Sequence, residues 1–440
     1  MKLLRFTVAA AFLLGFSSAY AFHDGGVADC TGCHAIHNEN SAGTVVGTTN
    51  SNLLIGDTVS DTCLQCHAAA DTGPSSYHVM STVTGSYPAG QAPYERTPGG
   101  DFGWLLKTYS YSAHGEAVTW SPGGHHINAP AFGLPQQTGT APGGTFPASA
   151  LGCSSCHDPH GKARTDANGN LVAQNAFKII GSGSYPTLQA PASGDTNDAY
   201  GTYRLLYTNN SYYSTNFNGP IPATIQTGSV TFSTSPLAIA PSTYNQSEAT
   251  NQVRVAYDSL PGRTVGLWCA SCHPKMHTNS GLFVHPIDAT LDTGGELGYY
   301  NSYVSSGNST GNNTTSFLSL VPFGSGGDSR TVLATLASNT TPTSAGPVSG
   351  DTVMCLSCHR AHASGFDSAT RWENEAEFIT YVNAANAPAW PGTDNAPAQG
   401  NAQYARGKTM AETQASYYDR PVTVFGAYQR SLCNKCHAQD

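Results

Sequence analysis

Charge is scarce in this chain. Only 11% of its 440 residues are Asp, Glu, Lys or Arg, with 19 basic against 28 acidic side chains. So few cations leave no basic stripe for nucleic acid and no basic amphipathic helix for a membrane surface. Long apolar runs are also missing: beyond the N-terminal leader, nothing approaches the roughly 20 consecutive apolar residues of a membrane span. Extended amphipathic patterns are rare, whereas the 47 glycines and 26 prolines are joined by abundant Ser, Thr and Asn. Side chains of this kind cannot build a large aliphatic core by themselves. Something else has to fill the interior.

The leader itself is informative. Lys2 and Arg5 precede the apolar run FTVAAAFLLGF, and small residues follow up to Ala19-Tyr20-Ala21. This is the pattern of a secretory signal peptide over residues 1–21, with a mature chain starting at Phe22. No cysteine stands at the cleavage site to take a lipid. The expectation is an exported protein, secreted through the periplasm to the cell surface or beyond. Loss of Lys2 and Arg5 takes the formal charge from -9 to -11.

No cysteine lies outside one recurring pattern. The twelve fall into CTGCH (Cys30, Cys33, His34), CLQCH (Cys63, Cys66, His67), CSSCH (Cys153, Cys156, His157), CASCH (Cys269, Cys272, His273), CLSCH (Cys355, Cys358, His359) and CNKCH (Cys433, Cys436, His437). C-x-x-C-H is the attachment motif of c-type haem. Two thiols one short turn apart can add to the two vinyl groups of a porphyrin, and the next residue offers an imidazole to the iron. Disulfides are favoured by export and zinc by paired cysteines with histidine. Neither explains a histidine after every pair. Six covalent haem c groups would also supply the missing interior, because burying macrocycle carbon stabilises a fold as burying side-chain carbon does. Without haem such a chain should not fold.

The motifs are the only repeat visible in the sequence; the spacers do not resemble one another. Turn-forming stretches such as TPGGDFGW, SPGGHH, APGGTFP and SGGDSR fill them. Periodicity predicts short helices at NEAEFITYVNAAN (374–386) and TMAETQASYYDR (409–420), and VRVAY gives a brief strand signal. The fold class expected is a mostly irregular multihaem cytochrome c with a few short helices and minimal strand, the haems forming its core. Residues 22–440 read as a single unit, with haem motifs close to both ends.

What fills the second axial position of each iron separates electron transfer from catalysis. Beyond the six proximal histidines, ten remain: His23, His37, His78, His114, His125, His126, His160, His277, His285 and His362. CHAIH, CHDPH and CHRAH place His37, His160 and His362 three residues after a proximal histidine, and CHPKMH places His277 four after. So short a tether cannot pass round the macrocycle, so each of these must serve a different haem or none. His37, His78, His125, His160, His277, His285 and His362 are the distal candidates, one more than needed. In GGHH either His125 or His126 can bind, with His125 preferred; His23 and His114 are weaker. Methionine, the ligand that raises haem potential, is not needed, and Met80, Met276, Met354 and Met410 read as packing.

These stretches carry a family resemblance. FHDGGVADCTGCHAIHN, DTGPSSYH, TPGGDFGW, CSSCHDPHGK, APSTYNQSEAT, CLSCHRAHASGFDS and YQRSLCNKCHAQD, in this order along the whole mature chain, resemble the outer-surface hexahaem cytochromes of the OmcS type. Members of that family polymerise into extracellular conducting filaments in metal-reducing bacteria. The resemblance implies six bis-histidine haems in a continuous stacked chain. It also implies that His37 reaches a haem of the neighbouring subunit, the one attached at Cys355 and Cys358 with proximal His359. A joint between one end of a protomer and a different surface of the next is heterologous, and generates an open filament if its rotation does not close.

The expected function is conduction, with no substrate turned over: a head-to-tail homopolymer passing electrons to extracellular acceptors such as metal oxides or partner cytochromes. A monomeric electron shuttle is the alternative. A multihaem oxidoreductase is a further one, but it needs an open or lysine-ligated iron, and every motif here ends in histidine.

Overall fold

The computed structural model describes residues 30–35, 53–70, 77–83, 87–161, 163–166, 178–181, 183–185, 198–208, 226–227, 230–231, 235–241, 254–277, 286–327, 329–337, 345–394 and 401–437. Regular structure is sparse and short. The longest helix, Val59–His67, holds the second motif. Thr58 starts it by accepting from the Asp61 N–H, and Ala68 leaves it in extended conformation. Helix Val265–Cys269 begins in the same way, the Thr264 hydroxyl accepting from the Leu267 N–H, and runs straight into the fourth motif. Side-chain caps of this kind satisfy backbone donors that so short a helix cannot satisfy internally.

The expected helix near the C-terminus forms over Met410–Ser416, closed by a reciprocal capping box between Thr409 and Glu412. The one expected over 374–386 does not form. The Glu373 carboxylate turns the chain there by accepting from the Asn374 and Glu375 N–H groups. The Ile379 N–H then donates to the Gln429 carbonyl and the Gln429 N–H to the Thr380 hydroxyl. These tertiary bonds outweigh a weak local periodicity, and the segment becomes bends and a two-residue strand, Tyr381–Val382. Among the described residues of VRVAY, the strand is Ala256–Tyr257, paired antiparallel with Ala238–Ile239.

The longest sheet element is the hairpin Tyr109–Ala113 with Glu116–Trp120. His114 and Gly115 close it, both left-handed, at φ 51 and 86, as a tight hairpin turn requires. His114 is therefore an exposed loop tip.

The apolar core is divided into separate clusters, three of which abut haem-motif cysteines. Trp390 stacks on Tyr417 at 4.5 Å beside Phe366, Trp372 and Phe425, with Cys358 and Cys436 packed against that group. Val255, Tyr257, Val265 and Met354 adjoin Cys269. Leu64, Met80, Phe102 and Ile127 adjoin Cys153. Met80 and Met354 are thus core residues, as expected.

A buried ionic network ties 107–120 to 367–412. Arg406 bridges Asp367 at 2.7 Å and Glu373 at 2.9 Å, and Lys107 pairs with Glu412. Pairing is what makes charges tolerable at this depth. Among the described residues no helix is long and apolar enough to cross a membrane.

Candidate haem sites

Each described motif is wound into about one turn. The His34, His157, His273, His359 and His437 N–H groups all donate to the carbonyl of the first cysteine of their own motif. This brings the two thiols and the histidine together. No disulfide joins the cysteines.

Four proximal imidazoles are oriented by backbone carbonyls. Nδ1 of His67 donates to Tyr77 at 2.8 Å, His157 to Arg204 at 2.7 Å, His273 to Pro142 at 2.8 Å and His359 to Ser368 at 2.8 Å. A carbonyl can only accept, so Nδ1 carries the proton and Nε2 keeps its lone pair for a metal.

The odd-numbered motifs share a backbone device absent from any sequence signature. Arg204 and Leu205 are consecutive left-handed residues (φ 51 and 54), and so are Ser368 and Ala369 (φ 53 and 56). Each such residue costs roughly 1–2 kcal/mol, and here the cost aims two successive carbonyls at one motif. The first takes Nδ1–H of the proximal histidine; the second takes the next N–H, Asp158 onto Leu205 and Arg360 onto Ala369. A return bond follows, from Tyr207 N–H to Cys156 and from Arg371 N–H to Cys358. The first motif repeats it: Leu53 is left-handed (φ 54), its carbonyl accepts from Ala35, and Ile55 donates to Cys33. The spacers that look unrelated in sequence therefore contain one recurring clip.

Three pairs of imidazoles face one another. His34 and His160 have ring centroids 6.1 Å apart, His125 and His273 6.1 Å, and His157 and His362 6.4 Å. Metal–nitrogen bonds of about 2 Å on opposite sides of one ion place two ring centroids about 6 Å apart. Each pair joins a proximal histidine to a distal candidate, and the donor set fits bis-histidine haem. Burial lowers the pKa of His125 and His157, and brings that of His362 to about 3. Neutral imidazoles of this kind are competent ligands.

The distal rings are seated by glycine-rich turns. His125 Nδ1 donates to the Ala361 carbonyl at 2.5 Å. The His362 N–H donates to the Gly99 carbonyl at 2.6 Å, and a Cβ on Gly99 would lie 2.8 Å from His362 Nδ1. Phe102 stacks on the same ring at 4.8 Å. Of the GGHH pair, it is His125 that meets an imidazole.

Other candidates are placed differently. His78 is buried against Tyr77, with Nδ1 3.7 Å from a Glu95 carboxylate oxygen. His277 directs Nε2 at Asp288 Oδ2, 2.9 Å away, and that oxygen also takes the Thr264 hydroxyl at 2.5 Å. His277 thus braces the cap of the helix entering the fourth motif. His23, His37 and His285 lie outside the described residues, as does the segment 1–21 expected to be a signal peptide. Sequence reasoning missed the carbonyl acceptors of Tyr77, Pro142, Arg204 and Ser368, for which residue identity carries no signal.

Cysteines of consecutive motifs meet throughout the chain. Cys33 is within electrostatic reach of Cys66, and Cys63 is within reach of Cys153. Cys156 is within reach of Cys272, Cys269 of Cys355, and Cys358 of Cys433 and Cys436. The six motifs therefore form a line in sequence order.

No family model matches the chain. It is 43% identical to C-type cytochrome OmcS of Geobacter sulfurreducens over 456 aligned residues, spanning 100% of this chain and 99% of that protein. It is similar to two solved filament structures of OmcS from that organism, a nanowire cryo-EM structure at 41% identity and an outer-membrane cytochrome S filament at 40%. Both have a TM-score of 0.79 and cover 95% of this chain and 100% of theirs. The chain belongs to the OmcS family of c-type cytochromes and carries covalently bound haem c.

Proposed function

We propose that this chain holds six haem c groups through its twelve motif cysteines and conducts electrons along them, as one protomer of an extracellular filament. Haem c supplies an iron that cycles between ferrous and ferric states. His34, His67, His157, His273, His359 and His437 are the proximal ligands. His160, His362 and His125 close the first, third and fourth irons, and His78, His285 and His277 remain candidates for the second and sixth. Residues 22–440 act as one unit.

The observation that carries this reading is the unbroken succession of contacts from Cys33 to Cys436. Cofactors attached in such a line have neighbours at every step, which suits conduction and gives no reason for a single open catalytic iron. The homopolymer follows from kinship with a protein solved as nanowires. His37 is the proposed ligand to the His359 iron of the neighbouring subunit. Metal oxides or partner cytochromes are the proposed acceptors.

His37→Ala tests it. Filaments seen by electron microscopy should shorten or vanish, while six haems stay attached and one iron in six loses its low-spin signature. Unchanged filaments with six low-spin irons would sink the inter-subunit bond. Discrete wild-type monomers at high concentration would sink the filament.

A further inference from the structure

Between the fourth and fifth motifs, residues 305–316 read SSGNSTGNNTTS. Asn-x-Ser/Thr, with any residue but proline in the middle, is the acceptor signature for N-linked sugar on exported proteins. Three such triplets start here, at Asn308, Asn312 and Asn313. In a chain so rich in Asn, Ser and Thr the triplet alone decides nothing, and others at Asn209, Asn245 and Asn339 lie outside the described residues. The geometry separates the three that are placed.

Asn308 and Asn312 are exposed, as are Thr310 and Thr314. In both triplets the asparagine Oδ1 collects two donors from the threonine two residues on. Asn308 Oδ1 accepts from the Thr310 N–H at 3.1 Å and its hydroxyl at 2.8 Å; Asn312 Oδ1 accepts from the Thr314 N–H at 2.9 Å and its hydroxyl at 2.6 Å. Every bond falls on the oxygen, which leaves Nδ2 of each amide without a hydrogen bond among the described residues. Asn313 is different: its Nδ2 donates to the Gly346 carbonyl at 3.1 Å and the Pro347 carbonyl at 2.9 Å. That amide is a structural tie with no nitrogen to offer. Asn312 also caps the turn Asn313–Thr315, but a cap needs one acceptor, which Asp or Ser supplies equally, and has no use for a threonine hydroxyl on the same oxygen.

The loop is fixed from its inner side. The Ser306 N–H donates to Gln429 Oε1 at 3.1 Å, the Ser306 hydroxyl accepts from the Arg430 N–H at 2.8 Å, and the Val304 N–H donates to the Asn308 carbonyl at 2.9 Å. Its outer side is short of solvating groups. No Asp, Glu, Lys or Arg occurs from Leu297 to Gly327, while Val304 beside Asn308 and Val348 beside the Asn313 tie are 51% and 55% exposed. Charge is what ordinarily keeps such a surface soluble. A bulky hydrophilic group supplies the same solvation without charge.

We propose that Asn308 and Asn312 are N-glycosylated and that Asn313 is not. The co-substrate is a saccharide carried on a lipid diphosphate. Nδ2 attacks its anomeric carbon: the carbon–nitrogen bond forms as the carbon–oxygen bond to the diphosphate breaks, one Nδ2 proton passes to a base of the transferase, and the lipid diphosphate leaves. Nothing is oxidised or reduced. The proposal rests on the chain being exported and goes beyond that reading, because neither conduction nor filament growth calls for sugar.

Mass spectrometry of chymotryptic peptides spanning 304–317, from haem-loaded protein made by its own cells, tests it. The peptide should be heavier by two saccharides, and fragmentation should place them on Asn308 and Asn312. Thr310→Val should remove the sugar from Asn308 alone and Thr314→Val from Asn312 alone, whereas Thr310→Ser should keep both. Unmodified Asn308 and Asn312 overturn the proposal, as do a saccharide on Asn313, saccharides held only by Ser or Thr hydroxyls, or sugar that persists in the valine variants. Protein inside and outside the cell is read separately. Filaments without sugar sink the modification and leave conduction standing; protein retained in the cell sinks the export reading, and the modification with it.

Discussion

The imidazoles of His34 and His160 face one another at 6.1 Å with only 12° between their planes. Their motifs belong to segments far apart in the chain, and neither ring needs the other as a packing partner. A separation near 6 Å lies within the range of aromatic pairs, and it is also the spacing two imidazoles take on opposite sides of one metal ion. The same spacing recurs at His125 with His273 and at His157 with His362. The fold is organised around groups that stand between side chains.

That organisation makes the chain dependent on haem attachment. Its apolar core is split into separate clusters, three of them abutting motif cysteines, so without macrocycles they cannot offset the conformational entropy of long irregular loops, about 1–2 kcal/mol per residue. Replacing both cysteines of the third motif, Cys153 and Cys156, should leave a chain that is degraded or recovered unfolded. Limited proteolysis beside the wild type reads this directly. Equal protease resistance would show that side chains alone sustain the fold.

The turn under the fourth motif should tolerate no added side chain. The Pro142 carbonyl orients His273, the Gly143 carbonyl takes the Lys275 N–H, and a Cβ on Gly144 would drive into the Cys272 carbonyl oxygen. The backbone on both sides is fixed by these bonds, so neither partner can yield. Gly144→Ala should cost about 3 kcal/mol and lower occupancy at the fourth motif. Melting temperature and haem-to-protein ratio check it, and a variant matching the wild type in both would refute the close approach.

Asp101 governs a different seat. Its buried carboxylate accepts from the Ser81 N–H and hydroxyl, from the Gly103 N–H and from the Glu95 N–H. It therefore fixes the stretch leading to Gly99, whose carbonyl holds the His362 backbone. Asp101→Asn replaces one acceptor oxygen by a donor and leaves a buried N–H unsatisfied, which costs about 1–3 kcal/mol. The seat of His362 should loosen, visible as partial loss of low-spin character at one haem. Lower stability with all six irons unaltered would restrict Asp101 to a packing role.

The chemistry was legible in the sequence to the extent that it is local. C-x-x-C-H, the histidines three residues on, and the short helix within 409–420 are all set within a few turns of chain. Partner choice was not legible, because His34 with His160 and His157 with His362 are set by the three-dimensional path. The clips escaped for another reason: Arg204, Leu205, Ser368 and Ala369 have no preference for the left-handed region, and tertiary bonds hold them there. The expected helix at 374–386 failed to form through the same competition, with Gln429 and the buried Glu373 carboxylate taking the backbone groups a helix would have used.

Lys408 gives the ionic network a pH signature. Its side chain is only 2% exposed, and the amine stands 4.0 Å from the Phe366 ring and 5.1 Å from Trp120. Burial, joined by the push of the Arg406 guanidinium, lowers its pKa from 10.5 to about 8 against the pull of Glu373. An unfolded chain would titrate this lysine near 10.5. Between the two values the unfolded state binds more protons, so unfolding free energy rises with pH from about 8 to about 10.5. Below about 8 the native state carries the full penalty of the buried charge, about 3 kcal/mol by the size of the shift. Lys408→Met removes that penalty without stranding a carboxylate, because Arg406 still pairs with Asp367 and Glu373 and Lys107 with Glu412. The variant should be the more stable protein at pH 7, and its advantage should shrink steadily as pH rises toward 10. Melting curves of both proteins across that range decide the matter, and a pH-independent difference would show that Lys408 binds its proton equally in the native and unfolded states.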